Sequence, residues 1–430
     1  MPYNKSTIWH PYTQHGIMPD SIHIDHANGA YLHEKGGRRI IDAISSWWVI
    51  THGHCHPDII KSVQAQTEKL DQVIFAGFTH DPAEKLAEKL VNITNQKYDH
   101  VFYSDSGSTA VEVALKMALG YWQNKGRPRR KIIAFEEGYH GDTFGGMSAG
   151  ARSIYNRAYD PFLFEVEHIP PPRAGQEQAS FDALEKILKD NKNDVACFIF
   201  EPLLQAAGGM KPYCPEGLKT LCDMCKKEDV FLIADEVMTG FGRTGTFLAH
   251  YQAGITPDII CMSKGLTAGF LPMGATLCTK EIYSAFYDTD KSKMFFHSSS
   301  FMGNAITCAA AVASLEIWEN EPVQGRIETI AASHKIAIKA LEARPDVENV
   351  RSLGTMMAFD VRVEESGYLS TIQPYLYDFF LSKNILLRPL GNTVYILPPY
   401  CISKKDLEEI YDTLHLALDS LRDERQQCAV

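Results

Sequence analysis

No stretch of this 430-residue chain carries an uninterrupted apolar run long enough to cross a bilayer, which excludes a helical membrane protein. The opening residues, Met1 to Trp9, have no apolar core of signal-peptide length. Basic blocks and arginine stripes are missing too, and the formal charge is −11. Nucleic-acid and anionic-membrane partners are therefore not expected. The ten cysteines are scattered and form no spaced framework, so buried thiols in a reducing compartment, hence the cytoplasm, are expected. Repeats, low-complexity tracts and long flexible linkers do not occur. What remains is a composition of 45% hydrophobic and 22% charged residues, ordinary for a soluble globular protein. The length predicts two domains, or one large and one small.

The N-terminal part reads as a small meander. Ile22-His23-Ile24 and Ala30-Tyr31-Leu32 flank Asn28-Gly29, a hairpin signal, and Gly36-Gly37 turns the chain into Ile40-Ile41-Asp42. Helical spacing follows over 57–72 and 82–93. From about 100 to 280, short apolar runs alternate with helical stretches: Val101–Tyr103, Ile132–Phe135, Val195–Phe200, Val230–Ala234, Asp258–Cys261 and Ala275–Cys278. Strands apolar on both sides and separated by helices predict an α/β domain with a mainly parallel sheet covered on two faces. Two helices are predicted over 304–343. Beyond them strands (Met356–Val363, Ile385–Arg388, Thr393–Leu397) mix with helices at 371–383 and 403–425, which marks a C-terminal domain.

The chemistry is concentrated in a lysine and a carboxylate. Lys264, in Met262-Ser263-Lys264-Gly265-Leu266, follows Asp235, which ends the apolar run Val230–Ala234. A pyridoxal-phosphate enzyme needs that combination: an amine to form the Schiff base, and a carboxylate that keeps the pyridine nitrogen protonated. Asp235 suits the second task because a carboxylate at the end of so apolar a strand is buried and needs a cationic partner. Ser104-Asp105-Ser106-Gly107-Ser108-Thr109-Ala110 opens a helix whose free N–H groups can hold a phosphate. Taken alone it reads as a plain N-cap with a turn glycine. Gly138-Tyr139-His140-Gly141-Asp142 can lay a tyrosine against a cofactor ring, or be a solvent turn with a core tyrosine. Glu201-Pro202, like Asp235-Glu236, ends a strand at the sheet edge where ligands bind.

Ala234-Asp235-Glu236-Val237-Met238-Thr239-Gly240-Phe241-Gly242-Arg243-Thr244-Gly245, followed by Ser263-Lys264-Gly265, resembles the signature of class III aminotransferases, pyridoxal-phosphate enzymes of fold type I. Ser106-Gly107-Ser108 and Tyr139-His140-Gly141 stand in the order this resemblance requires, and it covers essentially the whole chain. It implies a large domain, 57–320, with a mixed, mainly parallel sheet covered by helices. A small α+β domain would be built from both chain ends, 1–56 and 321–430. It also implies a homodimer with shared active sites.

Ile8-Trp9-His10-Pro11-Tyr12-Thr13 with Ser45-Ser46-Trp47-Trp48 further resembles the branch of that family in biotin synthesis. Enzymes of that branch move an amino group from S-adenosylmethionine to 8-amino-7-oxononanoate. By this resemblance Lys264 is the Schiff-base lysine and Asp235 the pyridinium partner. Gly107 and Ser108 hold the phosphate, with Ser300 reaching it from the second subunit, and Tyr139 stacks on the ring. Tyr12, Trp47 and Trp48 line the substrate pocket, with Tyr12 also a candidate catalytic residue. Arg388 receives the carboxylate of the acceptor, and Tyr395 borders the same pocket. An apolar chain ending in a carboxylate suits an aromatic channel with one distal arginine. Arg388 also has a plain reading as a surface salt bridge.

Two departures stand out. The family's His-Gly-Pro-Thr is His297-Ser298-Ser299-Ser300 here, near where the donor is expected, so Ser298 is a candidate donor contact. Ala206 stands where glycine is usual, which matters only if that backbone needs a positive φ. The alternatives are a lysine donor, another ω-amino acid aminotransferase, an aminomutase, or a non-catalytic binding protein that keeps the fold. His52, His54 and His56 lack a second ligand cluster and are expected to be loop histidines near the substrate entrance, with no metal. Cys222 and Cys225 are expected to pack a helix core, and Arg422–Arg425 to be a solvated helix end.

Overall fold

The computed structural model describes residues 7–17 and 20–428. Residues Met1 to Ser6 of the N-terminal reading lie outside them, as do the side chains of Glu424 and Arg425; Arg422 and Asp423 are exposed. Strands β1 (Ile24–Asn28), β2 (Tyr31–Glu34) and β3 (Arg39–Asp42) form the expected meander. Then come β4 (His100–Ser104), β5 (Lys131–Phe135), β6 (Glu167–Ile169) and β7 (Val195–Phe200). A short hairpin, β8 (Leu204–Gln205) with β9 (Lys211–Pro212), precedes β10 (Phe231–Asp235), β11 (Ile259–Met262) and β12 (Gly274–Cys278). The last four strands are β13 (Val347–Leu353), β14 (Met356–Val361), β15 (Ile385–Leu386) and β16 (Thr393–Ile396).

The large sheet has the order β4-β12-β11-β10-β7-β5-β6. β12 is antiparallel to both its neighbours, and the other strands run one way. Every residue of β7 and β10 is buried, because helices cover both faces; hence these strands are unbroken apolar runs and not alternating ones. Parallel strands end on one side. The residues after β4, β5, β7, β10 and β11 therefore meet at a single edge, which brings Gly107, Tyr139, Glu201, Asp235 and Lys264 together from distant parts of the chain.

The second sheet joins the chain ends: β15 adds to β3 in parallel, with Ile385 opposite Ile41 and Leu386 opposite Asp42. A three-stranded sheet, β13-β14-β16, packs into the same core through Met357, Phe359, Val394 and Ile396. On this topology we propose domain limits of 1–56 with 321–430 for the small domain and 57–320 for the large one.

The differences from expectation are local. The helix expected over 57–72 is Pro57–Thr67, and β15 stops at Leu386, two residues short of Arg388. β13 was not foreseen because it is half-exposed and polar (Val-Glu-Asn-Val-Arg-Ser-Leu), with no apolar run to betray it.

Candidate active site

Ser106 caps the helix Gly107–Asn124 by a capping box: its Oγ accepts the Thr109 N–H at 3.2 Å, and Thr109 Oγ1 accepts the Ser106 N–H at 2.9 Å. The cap uses the Thr109 donor and leaves the first-turn N–H groups of Gly107 and Ser108 to an anion. The glycines here are steric requirements. A Cβ on Gly107 would lie 2.5 Å from Val237 Cγ1, and one on Gly141, at φ +110°, would lie 2.1 Å from Ser108 Oγ.

Beside this helix end is a cavity of about 130 Å³ lined by Gly107, Ser108, Tyr139, Asp235 and Lys264, among others. Lys264 has φ +41°, a strained conformation for a lysine. Burial pushes its ammonium below the ordinary lysine range, against the opposing pull of Asp235 and Glu201. Asp235 is buried; its Oδ1 accepts the Val237 N–H at 3.1 Å and its Oδ2 accepts Nδ1–H of buried His140 at 2.7 Å. Glu236 points elsewhere, tied to Thr239, Ala249 and His250. Asp235 is thus the carboxylate of the pair that faces the cavity. Glu201, also on the cavity wall, accepts the N–H groups of Tyr139 (3.0 Å) and Ala206 (3.2 Å), and burial raises its carboxyl to about 7. Ala206 has no positive φ, so a side chain is tolerated there.

A second cavity, about 480 Å³, opens from Lys264 toward the small domain. Its walls include Tyr12, Trp47, Trp48, Tyr139 and Tyr395, and Arg388 lies on its rim. The Arg388 guanidinium sits 4.8 Å from the centre of the Trp47 ring and donates to the Tyr12 carbonyl at 2.9 Å. It makes no ion pair among the described residues, so the surface salt-bridge reading does not hold. The hydroxyl of Tyr12 donates to Asp142 at 2.8 Å, and burial with that carboxylate holds its phenol well above the ordinary range. Trp48 Nε1–H donates to the Tyr395 hydroxyl at 3.0 Å, and the Lys264 Nζ lies 5.5 Å from the Trp48 ring centre.

The tryptophans stand on a distorted turn with Ser45, Ser46 and Trp48 all at positive φ. Asp42, fully buried, holds it: its carboxylate accepts the N–H groups of Ile44 and Ser46, the Ser46 hydroxyl, and His54 Nε2–H at 2.8 Å. Asp42→Ala would leave those donors without a partner in a strained turn. A loss of about 3 kcal/mol in unfolding free energy is expected by denaturant titration. An unchanged midpoint would mean that packing alone sets the turn.

Ser298 and Ser300 are exposed and line neither cavity of their own chain. Ser299 instead donates to Asp105 at 2.9 Å. The three histidines are not a group at the entrance: His52 is buried against Trp318 and Tyr400, and His54 serves Asp42. His56 lies with Asp58 and Glu321, three potential ligand atoms within 4.8 Å, but the guanidinium of Arg326 already supplies the positive charge at Glu321, at 2.6 Å. Cys222 and Cys225 are buried in a helix, and burial raises both thiols. Sequence reasoning assigned no role to His140, Asp142 or Asp42, and placed Glu201 only at the strand end where ligands bind. His140 and Asp142 lay inside a quoted motif. Asp42 acts through backbone N–H groups, Ser46 and His54, contacts that leave no pattern in the sequence.

Residues 12–418 match the family model described as Aminotransferase class-III. A protein of Synechococcus elongatus named adenosylmethionine-8-amino-7-oxononanoate aminotransferase is 43% identical over 96% of this chain and 99% of its own. The crystal structure of a protein of that name from Methanocaldococcus jannaschii superimposes with a TM-score of 0.92 at 34% identity, covering 97% of this chain and 98% of the other. An amine transaminase from an uncultivated Pseudomonas species, in its PLP-bound form, gives 0.91 at 29% identity over 97% of this chain and all of the other (100%).

Proposed function

This chain belongs to the class-III aminotransferases, and on that premise we propose that it transfers an amino group from S-adenosylmethionine to 8-amino-7-oxononanoate, using pyridoxal 5′-phosphate, as a step of biotin synthesis. The observation that carries the reading is Arg388: a cation with no ion-pair partner among the described residues, lining an aromatic cavity that also reaches Lys264. That arrangement suits an apolar acceptor with its reacting carbon at one end and a carboxylate at the other.

The residues present fit the cofactor. Gly107 and Ser108 offer first-turn N–H groups to its phosphate, and the Tyr139 ring would lie against the pyridine. Asp235, oriented by His140, would hold the proton on the ring nitrogen. Bound there, pyridoxal phosphate supplies a carbonyl that takes up the amino group and a ring that accepts electrons. Lys264, with its depressed ammonium pKa, accepts and returns the proton at the substrate carbon. Trp47, Trp48 and Tyr12 exclude water and orient the chain of the acceptor. Arg388→Ala should raise KM for the oxononanoate about 100-fold, the loss of roughly 3 kcal/mol of charge-assisted bonding, and spare an acceptor without the carboxylate. An equal loss for both acceptors would move the carboxylate site elsewhere.

The donor is tested by single-turnover absorption on holoenzyme with adenosylmethionine, lysine or glutamate added separately and no acceptor. Loss of the visible band with adenosylmethionine alone supports the reading. Loss only with lysine makes the Ser298–Ser300 segment a donor switch, and loss only with glutamate makes this an ω-aminotransferase of another kind.

A homodimer sharing its sites is part of the same reading. Ile74, Phe78, Phe296 and Phe301 are exposed on two adjoining segments, 72–78 and 294–304, which also carry Ser298 and Ser300. Burying this face against a second copy would bring Ser300 toward the other phosphate site. No helix among the described residues is long and apolar enough to cross a membrane, and the nine cysteines whose side chains are described are free. Both support a cytoplasmic location.

A further inference from the structure

Behind the loop 138–142 lies a third cavity, about 710 Å³, within the ~300–1,000 Å³ usual for small-molecule sites. It shares Tyr139, Asp142, Tyr155, Ala207, Tyr368 and Leu390 with the aromatic cavity, so the two are arms of one space that divides beside the Tyr12–Asp142 contact. The arms differ in charge. The aromatic arm ends on Arg388, a cation with no ion-pair partner among the described residues. In the other arm the cations are already neutralised: Arg152 by Asp160 at 2.8 Å, and Lys211 by Glu137 at 2.8 Å. Its carboxylates are in excess. Glu137, Asp360 and Glu348 face Lys211, Arg351 and Arg362, but Glu136 makes no ion pair among the described residues, and Asp142, at the division, accepts the uncharged Tyr12 hydroxyl and has no ion-pair partner among them. At the division, Tyr155 and Tyr368 meet edge to face with centroids 4.7 Å apart, which offers ring faces to a heteroaromatic base or an onium centre.

The reaction proposed above requires one site to accept two unlike molecules in turn. One is a fatty chain with a terminal carboxylate. The other is a sulfonium cation carrying a nucleoside. A single channel ending on Arg388 suits the first and repels the second. Resting on that functional reading, we propose that the acid-lined arm receives the adenosyl and sulfonium end of the donor, while the Arg388 arm is kept for the acceptor. Both arms leave the reacting end of their ligand at the shared wall formed by Tyr139 and Ala207, next to Lys264.

Ala151 and Ser366 line the acid arm and not the aromatic one. In holoenzyme, Ala151→Trp and Ser366→Trp should each raise the apparent Kd of adenosylmethionine in the donor half-reaction about tenfold or more, with KM for the oxononanoate changed less than about twofold. Ser366 is exposed, so its variant tests the arm even where Ala151→Trp does not fold. Calorimetric binding of 5′-methylthioadenosine, which has no amino group to react, should weaken in parallel. Glu136→Gln should weaken the sulfonium about fivefold and leave the neutral thioether unchanged. Folded variants that bind adenosylmethionine like the parent overturn the arm assignment and leave the reaction standing. If the parent holoenzyme does not react with adenosylmethionine, the functional reading fails. The thioether then decides the arm separately: binding that both tryptophans abolish supports a nucleoside site, and no binding overturns it.

Discussion

Lys264→Ala should abolish turnover, lowering kcat by about 10⁴-fold, while the protein keeps its fold. The reason is in the geometry. Among the described residues Lys264 is the one amine lining both the cofactor cavity and the aromatic arm, and burial pushes its pKa down, toward that of a general base. Removing it takes away both the covalent tether for the cofactor and the group that moves the proton. Alanine keeps the Cβ and therefore the same backbone strain at φ +41°, and it removes a buried amine whose desolvation opposed folding. The measurements are single-turnover absorption, in which the visible band of the lysine-held cofactor should be missing, and thermal unfolding, which should be nearly unchanged. Cofactor capture by the parent apoprotein needs the neutral amine, so its rate should rise with pH through a pKa below the ordinary lysine value. A Lys264→Ala variant with full activity would falsify the whole site assignment.

Asp235→Asn should lower kcat by about 10²–10³-fold with little change in KM, the loss expected when one preorganised charge is removed from a buried site. Asparagine keeps the shape, its single carbonyl oxygen can still accept the Val237 N–H, and its amide N–H can donate to His140 Nδ1 in the other tautomer, so the fold should hold; what disappears is the negative charge that retains the ring-nitrogen proton. Because that charge also attracts the cofactor, apoprotein should form faster on dialysis than in the parent. His140→Ala leaves the charge and removes only its orientation, and a smaller kcat loss, about tenfold, is expected. Equal losses in the two variants would mean that His140 contributes to the chemistry directly and not through Asp235.

Much of this molecule was legible along the chain. The two-sided burial of β7 and β10 wrote itself as unbroken apolar runs, and the hairpin at Asn28-Gly29 was marked by its turn residues. Lys264, Asp235, Gly107, Ser108 and Tyr139 could be read because each ends or follows a strand, and strand ends are conspicuous in sequence. Arg388 and the tryptophan pair came from resemblance, since nothing local distinguishes them.

The sequence by itself determined which side chains the sheet edge would collect, because parallel strands of sufficient apolar length leave no other edge for their C-terminal loops. Tertiary structure alone decided the rest. It set Glu236 away from the cavity and Asp235 into it, because successive residues leave a strand on opposite sides. It used β15 on β3 to bring Arg388 against Trp47 across more than three hundred residues, and placed Asp42 beneath a turn that no local preference would form. It also set two adjoining cavities beside Tyr139, one ending on Arg388 and the other with Arg152 and Lys211 already paired, a property of pairing between distant residues and therefore invisible to any reading of neighbours.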